Sequence, residues 1–259
     1  MRREMIYIRP LFGNIAKKDE ERNMRILLMV LRKLFLCPIY FWRLCKAARN
    51  YNGDYMPGFL IAKRMSLHAI EAGNIDLEVH GIENIPEKDG FIFYPNHQGL
   101  FDTLTFYASS PKPFAAVIKK EAKDIFLLKQ VLQATGSLAM NREDVRQSMQ
   151  VISRVSEEVK AGRNYMIFAE GHRSHEGNKV QEFKAGSFKA AQKAKCPIVP
   201  CALINSYVPF DEPSIRKITV KLIYMKPMYY EEYQNMKTVE IAAEVKRRIE
   251  ETIREYGEN

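Results

Sequence analysis

The sequence predicts an α/β fold: a mixed, largely parallel sheet flanked by helices, with an N-terminal helical segment ahead of it. Three observations predict it. Short apolar runs at residues 91–94 and 165–168 have the length of buried strands. Val145, Met149, Ile152, Val155 and Val159 recur by steps of 4, 3, 3 and 4, the spacing of one helix face. Strands and helices then alternate along most of the chain, the pattern of an α/β domain.

The N-terminal part differs in charge from the rest. Residues 1–64 hold fourteen Lys and Arg against five Asp and Glu, whereas residues 65–259 hold twenty-six of each. The whole net charge of +9 is therefore N-terminal. A nucleic-acid enzyme would carry its basic stripe across the working domain, so no nucleic-acid partner is expected. A basic segment beside apolar sequence points instead to an anionic membrane surface.

Residues 1–23 are mixed and charged, a loose lead-in or a short helix. Residues 24–49 are apolar with interspersed arginines, and their longest uncharged run is nine residues. A bilayer crossing needs about 20. This segment is expected to lie on the membrane, not to span it. As a helix it gathers Arg25, Arg32 and Arg43 into one stripe opposite a broad apolar face. Pro38 is expected to kink it or to start a second helix at Ile39, while Tyr40 and Trp42 suit the headgroup level. A buried helix packed on the domain is the alternative. Residues 52–58 are rich in turn formers and read as a linker. The chain is thus divided into a basic amphipathic membrane-docking segment with its linker, 1–58, and an α/β domain, 59–259.

Within that domain a helix is expected at 59–72 and a strand at 75–80. The central strand 91–94 follows, then a strand at 114–118, a helix at 124–134, a strand at 137–140 and the periodic helix from Val145. After the strand at 165–168 come a helix at 183–195 and a strand at 198–204, which Pro200 marks as an edge or a bulge. A strand at 218–224 and a helix at 239–256 close the chain. A chain of 259 residues with 46% hydrophobic content can bury one large core or two small ones. Its four cysteines form no Cys-x2-Cys pair, so neither zinc nor a redox pair is indicated. No signal peptide is recognised.

Chemistry concentrates just after the strands. His97 and Asp102 follow the central strand, and a carboxylate beside an imidazole is the usual general-base arrangement. Positions five apart point to different helix faces, so the two meet only if His97 lies at or before a helix start. Pro95 and Asn96 suit such a corner. Glu170, Gly171, Arg173 and Ser174 follow the strand at 165–168. Glycine there lets backbone approach a ligand, Arg173 offers a planar fork for phosphate, and Ser174 adds a hydroxyl donor. Lys119 closes one strand, Arg142 follows another, and Lys184 stands at a helix start that also favours anions. Ligands of α/β sheets bind outside the carboxyl ends of the strands. A cation-lined cleft with one His–Asp base suggests transfer to a hydroxyl of a phosphate-bearing molecule.

These residues carry a resemblance. Asn96, His97 and Asp102, then residues 136–142, then Phe168, Glu170, Gly171, Arg173 and Ser174, then Ile198, Val199 and Pro200 are similar to the four ordered blocks of the glycerolipid acyltransferases. Among these the chain most resembles the bacterial 1-acyl-glycerol-3-phosphate (lysophosphatidic acid) acyltransferases, over residues 79–203. The resemblance implies His97 as base, oriented by Asp102, with Arg142, Glu170, Gly171 and Arg173 holding the glycerol phosphate. Asn96, Ser174, Lys119 and Lys184, which the sequence places beside these blocks, complete the expected substrate-binding set. It implies attack of the acceptor's sn-2 hydroxyl on a thioester, giving phosphatidic acid. Acyl-CoA or acyl-carrier protein would be the co-substrate, with no cofactor and no metal. It implies a peripheral or monotopic place on the cytoplasmic face of the cell membrane. Two positions depart from the family pattern: His172 stands where Thr is usual, and Asn141 where Asp precedes the arginine. Both flank the expected phosphate site and bear on acceptor identity. Another lysophospholipid or glycerol-3-phosphate is the alternative acceptor, and a catalytically silent membrane lipid-binding protein the alternative class. A serine hydrolase is excluded, since no Gly-x-Ser-x-Gly is present.

Overall fold

The structure is a computed structural model that describes residues 24–121 and 127–257. The expectation for residues 1–23, and the start of the helix expected at 124, lie outside the described residues.

Seven strands form one sheet in the order β1-β7-β6-β2-β5-β3-β4. They are β1 (Ile75–His80), β2 (Ile92–Pro95), β3 (Ala115–Lys119), β4 (Leu138–Met140), β5 (Tyr165–Ile167), β6 (Ile198–Ile204) and β7 (Ile218–Tyr224). Strands β6, β2, β5, β3 and β4 run parallel. β7 pairs antiparallel with β6, and β1 parallel with β7. The sheet is mixed and largely parallel, as expected. The ten helices among the described residues, α1 to α10, span Met24–Arg32, Leu36–Arg49, Met56–Ala72, Asp102–Ser109, Leu128–Ala134, Val145–Lys160, Lys189–Ala194, Val208–Asp211, Tyr230–Tyr233 and Thr238–Gly257 in that order.

Both faces of the sheet are covered, which is why the central strand is apolar without a break. Along β2 the side chains alternate between two cores. Ile92 and Tyr94 join Val155, Val159, Phe188, Ile241 and Val245 beneath α6, α7 and α10. Phe91 and Phe93 join Phe59, Phe106, Phe114 and Tyr224 beneath α3 and α4.

Several expectations need correction. α3 begins at Met56 with Pro57 in its first turn, so the boundary drawn at 58/59 falls inside this helix. The break in the N-terminal segment falls at residues 33–35, and Pro38 sits in the first turn of α2, where its missing N–H costs nothing. Pro200 marks neither an edge nor a bulge: β6 lies between β7 and β2. The β7 ladder begins only at Cys201 opposite Tyr224, and the Pro200 carbonyl accepts the Met225 N–H at 3.0 Å. The proline thus stands at the margin of that ladder. The helix expected at 183–195 opens as a 3-10 turn, Ala185–Phe188, with α7 following it. Gly186, a poor former of helix interiors, stands in that turn.

The periodic face of α6 is only half buried. Ile152, Val155 and Val159 are in the core, but Val145 and Met149 are exposed. The sixteen-residue helix is about 24 Å long, whereas the three residues of β4 span about 10 Å. Its first turns overhang the sheet.

The arginine stripe faces the domain. Arg25 is buried and donates to the carbonyls of Gly73 (2.6 Å), Arg216 (3.0 Å) and Ser214. Arg32 donates to the Ala72 carbonyl at 2.9 Å. The Ala72 and Gly73 carbonyls close the C-terminal end of α3, where cations are favoured, while those of Ser214 and Arg216 lie just ahead of β7. Arg43 remains exposed. Opposite the stripe, Leu27, Leu31, Leu34, Phe35, Ile39 and Trp42 are exposed, Phe35 at 88%.

Candidate active site

The turn between β2 and α4 carries His97 and Asp102. Asp102 is the first residue of α4, so the corner required by the five-residue spacing is formed. Its Oδ2 lies 2.7 Å from His97 Nδ1. The same oxygen accepts the N–H groups of Gln98 (2.7 Å) and Gly99 (3.0 Å), which fixes the carboxylate at the helix start. Asp102 is fully buried, and its Oδ1 has no hydrogen-bond partner among the described residues. A buried carboxylate so placed assigns the Nδ1 proton to the neutral ring and leaves Nε2 as acceptor. It also gives an imidazolium a nearby negative charge. The ring stacks on Phe168, with centroids 4.0 Å apart.

The loop after β5, the strand beside β2, grips the His97 peptide from both sides. Glu170 Oε1 accepts the His97 N–H at 2.6 Å, and the Ser174 N–H donates to the His97 carbonyl at 2.8 Å. Glu170 Oε2 takes the Gln181 N–H at 3.0 Å. Burial pushes the Glu170 carboxyl up to about 7, the two N–H groups oppose that, and the Asp102 charge adds to it. Glu170 and Ser174 are buried, and the Ser174 hydroxyl accepts from the Glu176 N–H and Gln181 Nε2, each at 3.3 Å. In this geometry both hold the His97 turn rather than face a ligand.

Asn96 is likewise turned inward. Its amide donates to the Leu203 carbonyl at 3.0 Å and accepts the Leu203 N–H at 2.7 Å, continuing the β2–β6 pairing past the end of β2. A side chain with 1% exposure and both ends engaged is not a substrate contact, contrary to expectation. Gly171 has φ +81°, a left-handed conformation that favours glycine, and a Cβ there would sit 3.5 Å from Lys184 Cγ. The Lys184 stem therefore packs across this turn, held by its own N–H on the Ala169 carbonyl at 2.7 Å.

The cations spread along the carboxyl ends of the parallel strands. Arg173 is partly exposed and follows β5. Lys119 ends β3, two strands from β2, is exposed and lies 3.7 Å from Glu121. Arg142 follows β4, three strands from β2, or about 14 Å at ~4.8 Å per strand. Burial lowers the pKa of its guanidinium from the ordinary value, with Glu121 pulling the other way. Arg173 and Lys184 thus flank the His97 turn, while Lys119 and Arg142 stand further along the crevice. Among the described residues no group of three or more His, Cys, Asp or Glu is placed to hold a metal ion.

Sequence reasoning missed Phe168 as the stacking partner of His97, although it stood inside the motif. It also missed Gln98, whose amide takes the Ser206 N–H at 2.7 Å and donates to Asn178 at 2.8 Å. Nothing in local sequence signals that long-range bond.

Comparisons with known proteins give the family and the fold. Residues 76–204 match the family model described as Acyltransferase. The chain is 30% identical over 149 residues to the 1-acyl-sn-glycerol-3-phosphate acyltransferase of Helicobacter pylori, covering 54% of this chain and 63% of that protein. It is 33% identical over 132 residues to the protein of the same name from Borreliella burgdorferi, covering 51% of this chain and 52% of that one. The matched region thus spans less than two thirds of either relative. The fold matches the solved structure of the 1-acyl-sn-glycerophosphate (LPA) acyltransferase PlsC from Thermotoga maritima, with a TM-score of 0.73 and 21% identity over 92% of this chain and 98% of that one. From the family match, residues 76–204 form an acyltransferase-family domain.

Proposed function

We propose that the protein transfers a fatty acyl group from a thioester to the sn-2 hydroxyl of 1-acyl-glycerol-3-phosphate at a membrane surface. The observation that carries this reading is the His97–Asp102 pair, with a buried carboxylate on Nδ1 at 2.7 Å and Nε2 left to accept a proton. Nε2 takes the proton of the acceptor hydroxyl as its oxygen bonds to the thioester carbonyl carbon. The carbon–sulfur bond then breaks, and the departing thiolate takes the proton back from the imidazolium. The products are the diacyl ester and a free thiol, and His97 returns to its starting state. Asp102 stabilises the charged ring between the two transfers. Arg173 and Lys184, beside the turn, would hold the acceptor phosphate.

The membrane part of the proposal rests on the exposed row Leu27, Leu31, Leu34, Phe35, Ile39 and Trp42. Such a row suits the interface of one leaflet. No helix among the described residues is long and apolar enough to cross a membrane.

The test is acyl transfer from oleoyl-CoA and, separately, from oleoyl-acyl-carrier protein. Lysophosphatidate, glycerol-3-phosphate and lysophosphatidylglycerol serve as acceptors. Phosphatidate formed by the wild type and lost in His97→Ala is the expected result. Undiminished turnover by His97→Ala would reject the assigned base. No product from any donor–acceptor pair would reject the reaction.

A further inference from the structure

Among the described residues the ionic partner of Arg173 is Asp211, whose Oδ1 lies 3.8 Å from Nη1. That distance makes an ion pair without a hydrogen bond. Both side chains are about one-third exposed, at 32% and 29%, so the pair opens to the crevice.

Asp211 is set there by the fold. It is the last residue of α8, and its N–H donates to the Tyr207 carbonyl at 3.0 Å. Its neighbour Phe210 meets Phe101 edge-on, with centroids 5.3 Å apart, and Phe101 directly precedes Asp102. A β-carbon on Gly99 would stand 3.8 Å from Asp211 Oδ2 and 3.4 Å from Tyr207 Cα. The helix therefore packs on the turn that joins His97 to Asp102. A carboxylate is held between the catalytic turn and a cation otherwise free to take phosphate.

From this juxtaposition we infer that Asp211 is a specificity-determining residue of the acceptor site, the counter-ion that an incoming phosphate must displace from Arg173. The inference rests on the acyl-transfer reading above and adds what sets the acceptor range. A displaced carboxylate remains tethered nearby, and like charges repel in proportion to their product. A dianionic phosphomonoester therefore meets about twice the penalty that a monoanionic phosphodiester meets. Asp211 thus narrows the preference for a phosphomonoester lysolipid over a phosphodiester one. The pair's solvent exposure keeps the penalty modest.

The experiment compares the full chain with Asp211→Asn and Asp211→Ser, their folding checked by thermal melts. Titration calorimetry with glycerol 3-phosphate reads binding without turnover. Both variants are expected to bind it several-fold tighter. In an Arg173→Ala background the gain should be smaller, because only the repulsion by the carboxylate is then relieved and no guanidinium is freed. Steady-state kinetics are expected to show a lower KM for lysophosphatidate with kcat little changed. The ratio of kcat/KM for lysophosphatidate to that for lysophosphatidylglycerol should rise about threefold or more. Unchanged glycerol 3-phosphate affinity in both variants, an equal gain without Arg173, or an unchanged acceptor ratio in an active enzyme would each overturn the assignment. Tighter binding in a chain that transfers no acyl group would uphold the counter-ion role and reject the reaction instead.

Discussion

Glu170 Oε1 accepts the main-chain N–H of His97 at 2.6 Å, although the Glu170 side chain is itself fully buried. A single carboxylate thereby ties the loop after β5 to the residue assigned as base. The arrangement has a pH signature. The Glu170 carboxyl is pushed up to about 7, chiefly by burial, while an unfolded glutamate titrates near ~4.3. Over that interval the folded chain binds more protons than the unfolded one. The stability this group contributes is complete below about pH 4.3 and is lost as pH rises through about 7. Glu170→Gln cannot ionise and should lack that loss. In thermal melts between about pH 5 and pH 8, the wild-type midpoint is expected to fall relative to that of Glu170→Gln. Parallel curves for the two proteins would contradict the buried titration.

His97 and Asp102 should separate stability from activity. Asp102 accepts three hydrogen bonds through Oδ2, two of them from the main-chain N–H groups of Gln98 and Gly99. Asp102→Ala leaves those groups unpaired, at a cost of about 1–3 kcal/mol each. His97→Ala leaves the Gln98 and Gly99 bonds in place, and the His97 ring is itself partly exposed. Both variants should lose about 10²–10⁴-fold in acyl transfer. Urea unfolding should show a clear loss for Asp102→Ala and a small one for His97→Ala. Equal midpoints for the two would mean that Asp102 does not hold the turn.

What was legible in the sequence follows from how local each signal is. β1 and β7 have the limits expected, because strict alternation sets a strand with one side chain per face. The His97–Asp102 contact was legible because only a strand-to-helix corner satisfies its spacing. The α6 face was only half legible: its periodicity holds, but the sheet ends before the helix does. The arginine stripe on α1 was visible, yet a wheel cannot say which side meets protein. The answer lay in carbonyls forty residues or more away, at Ala72 and Gly73. Asn96 misled for a similar reason. Its position beside His97 suggested a ligand contact, while its partner is Leu203 on another strand.

Asn96 should therefore behave as a structural residue. Asn96→Ala strips the Leu203 N–H and carbonyl of their partners inside the core, at a cost of about 1–3 kcal/mol. The expected result is a lower unfolding midpoint, with KM for the acceptor unchanged in the fraction that remains folded. A raised KM at unaltered stability would return Asn96 to the substrate-binding set.

The exposed face of α1 and α2 provides the last prediction. Phe35 and Trp42 are 88% and 63% exposed, so replacing both with serine should leave the melting temperature unchanged. Full burial of a large apolar side chain is worth about 1.5–3 kcal/mol. If each ring inserts about halfway, the pair contributes roughly 2 kcal/mol, or about a 30-fold change in partitioning. Arg25 and Arg32 are spent on carbonyls of the domain, so these two add little attraction to anionic lipid. Sedimentation with vesicles should show the loss for Phe35→Ser/Trp42→Ser on zwitterionic and anionic lipid alike. Undiminished binding to both would mean that another surface holds the protein to the membrane.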